Sequence, residues 1–186
     1  MNKQNNIKRL VHVIALITMV SVTQNVQAQL LKTSLGLELA VMKGDFKNIA
    51  SFGIGTSGEL ELALTEKFGL TAQIGYLYLS PDDMYKSAFM MPIQLGFKLY
   101  TNSKEEGVYI QPKVGVHKVS TTKPSFVILG TEIPEQTYSF TSMSYGFGFG
   151  YMTGGKINIE LRYNLVSNNG EGTMDYIGMR VAYNFL

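Results

Sequence analysis

Apolar and small-or-polar residues alternate along most of this chain with a period of two. The stretch Tyr176–Leu186 shows it plainly: Ile177, Met179, Val181, Tyr183 and Phe185 fall on one side, and Gly178, Arg180, Ala182 and Asn184 on the other. Successive strand side chains point to opposite faces, so this spacing predicts a strand with one bulky apolar face and one small or polar face. The pattern recurs over Lys32–Met42, Phe52–Leu64, Phe68–Tyr78, Phe89–Tyr100, Val108–His117, Ser142–Tyr151 and Ile157–Leu165, which makes eight strands in all. Turn residues separate them at Thr65-Glu66-Lys67, Ser80-Pro81-Asp82-Asp83 and Thr153-Gly154-Gly155. Connections after the second, fourth and sixth strands are short. The others are longer and more polar, and residues 119–137 form the longest. Pro112 lies within the fifth strand, where a missing N–H predicts a bulge or a local break.

An even number of strands, each long enough to cross a bilayer at a tilt, with short and long turns sorted to opposite ends, predicts one fold. It is all-β: an eight-stranded antiparallel up-and-down transmembrane β-barrel. Closure pairs the last strand with the first and leaves no open edge. Bulk decides which face is outside. One face is Leu, Ile, Val, Phe and Tyr throughout; the other is Gly, Ala, Ser, Asn, Gln and a set of charges. A narrow lumen has room for the second set, and lipid suits the first. Tyr76, Tyr78, Phe68, Tyr151, Tyr163, Tyr183 and Phe185 fall near strand ends, where interfacial aromatic girdles belong. A soluble export-pathway barrel with the apolar face inside is the alternative fold.

The inner face carries four acids, Glu38, Glu59, Glu61 and Glu160, and four bases, Lys98, Lys113, Arg162 and Arg180. Buried charges persist when paired and hydrogen-bonded, so matched numbers predict an ion-pair network that plugs the lumen. Gln73, Gln94, Gln111 and Asn158 would complete its hydrogen bonds. An ion path or a bound ligand is the functional alternative.

The N-terminus changes the charge balance. Lys3, Lys8 and Arg9, the apolar run Leu10–Val22, and Val26-Gln27-Ala28 before Gln29 have the three-part layout of a cleaved signal peptide, residues 1–28. Those residues hold three of the 16 Lys and Arg and none of the 14 Asp and Glu. Residues 29–186, read as the barrel domain, are therefore nearly neutral, which gives no case for a nucleic-acid partner. The chain has no Cys, so no disulfide holds it.

The signal ending Gln27-Ala28-Gln29, the run Met91-Pro92-Ile93-Gln94-Leu95-Gly96-Phe97-Lys98-Leu99-Tyr100 and the following Val108-Tyr109-Ile110-Gln111-Pro112-Lys113-Val114-Gly115 resemble the PorT-like outer-membrane β-barrel family of Bacteroidetes. The motif resemblance covers this middle hairpin; the architecture is also similar to the OmpA and OmpX transmembrane domains. The resemblance implies an outer-membrane location in a Gram-negative cell, and it brings no catalytic residues.

Candidate chemistry is sparse. A lipid A deacylase of the barrel type uses His-x-Ser on one strand face. Here His117 is followed at the third position by Ser120, on the opposite face, so His117 reads as a hydrogen-bonded lumen filler. Asp82-Asp83 reads as a solvated turn. Gly146, Gly148 and Gly150 read as lumen space. No metal site, cofactor or catalytic residue follows, and the chain reads as non-enzymatic. The long connection contains Phe126-Val127-Ile128-Leu129 between prolines, a candidate interaction patch or a self-paired hairpin extension that could bind an extracellular protein by strand addition. The reading is of a monomer in outer-membrane lipid with a structural, adhesive or docking role. A small channel or hydrophobic-ligand transporter is the next reading, and a lipid A-modifying enzyme the third.

Overall fold

The computed structural model describes residues 31–82, 84–102, 107–128, 131–167 and 173–185. The segment read as a signal peptide lies outside them, as do Asp83 and Leu129. Among the described residues ten strands occur, in the order β1 (Leu31–Gly44), β2 (Ala50–Ala63), β3 (Phe68–Pro81), β4 (Ser87–Tyr100), β5 (Gly107–Lys123), β6 (Phe126–Ile128), β7 (Thr131–Ile133), β8 (Gln136–Thr153), β9 (Ile157–Ser167) and β10 (Thr173–Asn184). Eight of them close into an antiparallel barrel in the order β1-β10-β9-β8-β5-β4-β3-β2. The seam joins β1 to β10 from Ser34↔Asn184 to Gly44↔Met174, so no edge is left open within the wall.

Local chemistry explains the short turns. Between β2 and β3 the Thr65 hydroxyl accepts bonds from the backbone N–H groups of Lys67 and Phe68 at 3.2 and 3.1 Å. Between β8 and β9, Gly154 and Gly155 have φ of 55° and 64°. Positive φ at both central residues is the type I′ turn, whose twist matches that of the flanking strands. Both turns, with the β4–β5 connection, lie at one end of the barrel. The opposite end holds the longest excursion, residues 124–135 between β5 and β8, and is the extracellular one by the usual asymmetry of such barrels.

The structure decides one local expectation between its two forms and corrects two others, with a local break rather than a bulge at Pro112. Pro112 causes no bulge: Gly96↔Lys113 and Leu99↔Ile110 keep one register, and only the pairs between them are missing. The absent N–H faces β4, while the ladder to β8 runs on through Pro112↔Phe147. The irregularity lies instead in β2, between Ala50 and Gly53. Ser80 and Pro81 do not break β3, which continues through both. The connection expected at 119–137 is also narrower, because β5 and β8 pair as far as Lys123↔Gln136. Beyond a gap at Pro124 and Pro134, β6 and β7 resume the same register with Phe126↔Ile133 and Ile128↔Thr131. The two strand pairs therefore form one long hairpin, interrupted where prolines remove donors.

Burial alternates along the barrel strands, apart from Gln136–Thr141 of β8, which is not buried on either face. Leu37 is 68 % exposed and its neighbour Glu38 is 0 % exposed; Tyr145 is 59 % exposed and Ser144 is 0 %. The exposed set is the bulky apolar one. Among the described residues no helix is long and apolar enough to cross a membrane. On the outer wall the apolar band runs from Val108 to Val116 on β5 and from Met143 to Tyr151 on β8. Each spans about the nine to eleven residues that a tilted strand needs. Aromatic pairs mark both borders: Phe68 stacks on Phe97 at 5.6 Å near the short-turn end, and Tyr76 and Tyr78 meet Phe89 at 5.5 and 5.4 Å near the other.

Candidate functional site

The lumen is filled in three layers. The middle layer holds the charges. Lys98 Nζ donates to Glu59 at 2.6 Å and to Glu61 at 2.7 Å, with all three side chains buried. Lys113 Nζ donates to Glu160 at 2.5 Å and to Gln73 Oε1 at 3.0 Å. Arg162 donates to Glu38, which also accepts from Gln73 Nε2 at 2.9 Å. Arg180 lies 4.0 Å from Glu38 and 3.9 Å from Glu59, and donates to Ser57 and Ser34 at 2.8 and 2.9 Å. Thus Glu38, Glu59, Glu61, Lys98, Lys113, Glu160, Arg162 and Arg180 stand on the inner wall in one connected set. Gln111 ties it to β3, donating to Glu59 at 3.1 Å and to Thr71 at 2.7 Å. Four acids face four bases, so the formal charges of these lumen residues balance.

Strand β8 contributes space rather than charge. A Cβ at Gly150 would lie 2.2 Å from Cζ of Tyr109, and one at Gly148 would lie 3.0 Å from the Glu160 carboxyl. The Tyr109 ring thus lies flat against the Gly150 backbone, where its hydroxyl donates to Asn158 Oδ1 at 2.6 Å. Gly150→Ala is expected to cost about 1–3 kcal/mol of barrel stability through overpacking. Urea unfolding in detergent checks it: the cost should vanish when Tyr109 is also Ala, because the two changes share one contact.

Sequence periodicity did not single out the other two layers. Toward the short-turn end, Tyr100 and Tyr109 pack at 5.5 Å with Met152, and Tyr100 OH donates to Glu61 at 2.6 Å. Toward the extracellular end the lumen turns dry. Met42, Leu77, Leu79, Met90, Val119, Val166 and Met174 bury their side chains there with Tyr176 and Phe46. Phe46 comes from the 3-10 turn Asp45–Asn48, not from a strand. The turn departs from Gly44, whose φ of 53° and contact with Asp175 admit no side chain. A signal was present in the sequence: Ile74–Leu79 is apolar on both faces apart from Gly75, unlike the strand below it.

His117 is buried at the border between the dry and charged layers. Its Nε2 pairs with Tyr176 OH at 2.9 Å, and the rings meet edge to face at 5.6 Å. Ser120 is on the opposite face, paired with Ser139 Oγ at 2.9 Å. Gln94 Nε2 donates to Asn164 Oδ1 at 2.9 Å in the same layer as His117. Among the described residues no group of His, Asp and Glu could hold a metal ion. Of the loop candidates, Phe126, Val127 and Ile128 form β6, and Leu129 lies outside the described residues.

Comparison with known proteins agrees with this architecture. Among solved structures, the fold is similar to Ail, the attachment invasion locus protein of Yersinia pestis, at 16% identity over 83% of this chain and 97% of that one, with a TM-score of 0.62. It is also similar to the N-terminal β-barrel domain of Pseudomonas aeruginosa OprF, at 13% identity over 82% and 97% of the two chains and a TM-score of 0.54. Neisserial surface protein A matches at 12% identity over 83% and 97%, with a TM-score of 0.54. No curated protein matches the sequence. The family model described as an outer membrane protein beta-barrel domain matches residues 13–185. This closed barrel, apolar outside and charged within, is a small outer-membrane protein, and the chain belongs to the outer membrane protein beta-barrel domain family.

Proposed function

We propose that this protein is a non-enzymatic, monomeric outer-membrane barrel that acts through its extracellular hairpin, docking an extracellular protein while the barrel serves as anchor. The observation that carries this reading is the β5–β8 hairpin, whose register continues past the membrane border into β6 and β7. The β9 ladder reaches β8 only at Ser144↔Val166. Among the described residues, Gln136–Met143 therefore pairs on the β5 side alone and presents its other edge. An exposed edge is a template for strand addition. The filled, charge-balanced lumen supports an anchor over a pore, and the groove of about 570 Å³ lined by Leu35, Leu37, Ile157, Val181 and Tyr183 lies on the lipid-facing wall. The attachment protein Ail, similar in fold, has been crystallised with the heparin analogue sucrose octasulfate, which is in keeping with an adhesive role for barrels of this shape. Within the same reading, residues 1–28 serve as the cleaved export signal, and the resemblance of the Met91–Tyr100 and Val108–Gly115 motifs supports kinship with the PorT-like group of Bacteroidetes.

The test replaces residues 124–135 with a two-residue Asn-Gly turn, which suits a tight hairpin. The barrel should keep its heat-modifiable mobility on gels, with an unfolding midpoint close to that of the parent. Adherence of cells displaying the protein to protein-coated surfaces should fall about tenfold or more, the loss of about 1.4 kcal/mol or more of binding. Unchanged adherence would sink the docking role, and failure to assemble in the membrane would show that the hairpin belongs to the barrel fold itself.

A further inference from the structure

The outer wall changes character along one ring at the extracellular border. On β5 and β8, the lipid-facing pair Val116↔Met143 gives way to Lys118↔Thr141, then to Ser120↔Ser139 and Thr122↔Thr137. The hydroxyls of the last two pairs meet at 2.9 and 3.1 Å. The headgroup level therefore lies at Lys118. Among the described residues, the charged ones on this ring are Lys43, Asp175 and Lys118. Lys43 stands opposite Asp175 in the β1–β10 register, and Asp175 accepts a bond from Tyr163 OH at 2.7 Å. Lys118 stands opposite Met91 and Thr141, and is exposed, with no acidic partner among the described residues.

A groove of about 240 Å³ opens beside it, lined by Tyr76, Phe89 and Met91 below and by Lys118, Ser120 and Ser139 above. Beside it the β3–β4 ladder skips from Ile74↔Ile93 to Leu77↔Met90, where Pro92 has no N–H to donate. The groove is thus apolar and aromatic on the membrane side, and cationic with paired hydroxyls on the water side. That is the polarity of one lipid molecule at an interface. An ammonium group without an acidic neighbour, held at headgroup depth, attracts an anionic headgroup.

We propose that this groove between β4, β5 and β8 is a binding site for a phosphorylated lipid of the outer leaflet. Lys118 Nζ pairs with its phosphate, Ser120 and Ser139 hydrogen-bond its headgroup, and an acyl chain lies along Met91, Phe89 and Tyr76. The site is independent of the docking role proposed for the hairpin.

The test uses the barrel in phosphatidylcholine nanodiscs doped with bisphosphorylated lipid A or with the same glycolipid stripped of phosphate. Native mass spectrometry then reads the lipid retained after release into detergent. The parent should retain one phosphorylated glycolipid. Lys118→Gln should lower that retention about fivefold, the effect of one lysine at a membrane surface, and Lys118→Arg should restore it. Lys123→Gln, on the same hairpin but over the Tyr138 ring, should change nothing. Retention of the phosphate-free lipid should be low in every variant. Equal retention by the parent and Lys118→Gln would overturn the site. Displacement of the lipid by inorganic phosphate would reassign the groove to a free anion and overturn the lipid proposal. A heat-modifiability gel on each variant separates lost binding from lost folding.

Discussion

Lys98→Met is expected to destabilise the barrel by about 3–5 kcal/mol, the usual result of removing one partner from a buried ion pair. Lys98 is the only cation that donates to both Glu59 and Glu61 among the described residues, at 2.6 and 2.7 Å, with both carboxylates almost fully buried. Its loss leaves Glu61 with the Tyr100 hydroxyl at 2.6 Å and Glu59 with Gln111 and the more distant Arg180. Neither arrangement neutralises two carboxylates held out of water. The penalty belongs to the stranded charge more than to the bond, so it should be reversible by removing that charge. Adding Glu59→Gln and Glu61→Gln to Lys98→Met should recover most of the loss, because an ion pair replaced as a whole by neutral groups is often close to neutral. The exposed pair Lys86–Glu135, at 2.8 Å with side chains 61% and 44% exposed, is the contrast: Lys86→Met should cost less than about 1 kcal/mol. Urea unfolding in detergent, followed by tyrosine fluorescence and gel mobility, measures all three. An unchanged midpoint for Lys98→Met would mean that the lumen carboxylates do not depend on it.

How much of this could be read from the sequence depends on the range of the cause. Facing is local. Period-two alternation assigns Glu38, Arg162 and Arg180 to the small-residue face without any knowledge of partners, because the pleat alone sets it. Pairing is not local. Glu38 and Arg162 are 124 positions apart, and they meet across the lumen only once the seam register Glu38↔Arg180 and the barrel's stagger are fixed. Pro112 shows the same division. Its missing donor is legible, but whether that donor would have faced β4 or β8 depends on pairing parity, and parity decided between a bulge and a gap. The dry outer layer was the least legible. Leu77, Leu79, Met90 and Val166 share the inward parity of the polar lumen residues, so alternation places them inside without saying that the lumen becomes apolar there. Phe46 lies in a connection that begins Lys43-Gly44-Asp45, where no period applies and polarity suggests solvent.

That residue carries the second large effect. Phe46→Ala should destabilise the barrel by about 3–5 kcal/mol, as truncating a fully buried aromatic does, and should open the extracellular mouth to water. Phe46 is 0 % exposed and meets the Tyr176 ring at 6.4 Å and 72°, edge to face. Tyr176 in turn bonds His117 at the top of the polar layer. The phenyl ring therefore stands between solvent and the first hydrogen-bonded group of the lumen. Removing it uncovers the Tyr176 ring at the mouth, and water that passes there meets the Tyr176 hydroxyl and His117 as its first hydrogen-bonding partners. Because the chain contains no Cys, a single probe can report this without background. Ser144 is buried at that depth on β8, and Ser144→Cys changes the side chain little in size. In vesicles, a small charged thiol reagent added from the extracellular side should label Ser144→Cys at least about tenfold faster when Phe46 is Ala than when it is Phe, a shift of about 1.4 kcal/mol in the opening equilibrium. Phe46→Leu, which refills most of the volume, should label slowly. If all three label at one rate, the 3-10 turn does not seal the barrel, and the seal must lie in the strand-borne layer of Leu77, Leu79, Met90 and Met174 beneath it.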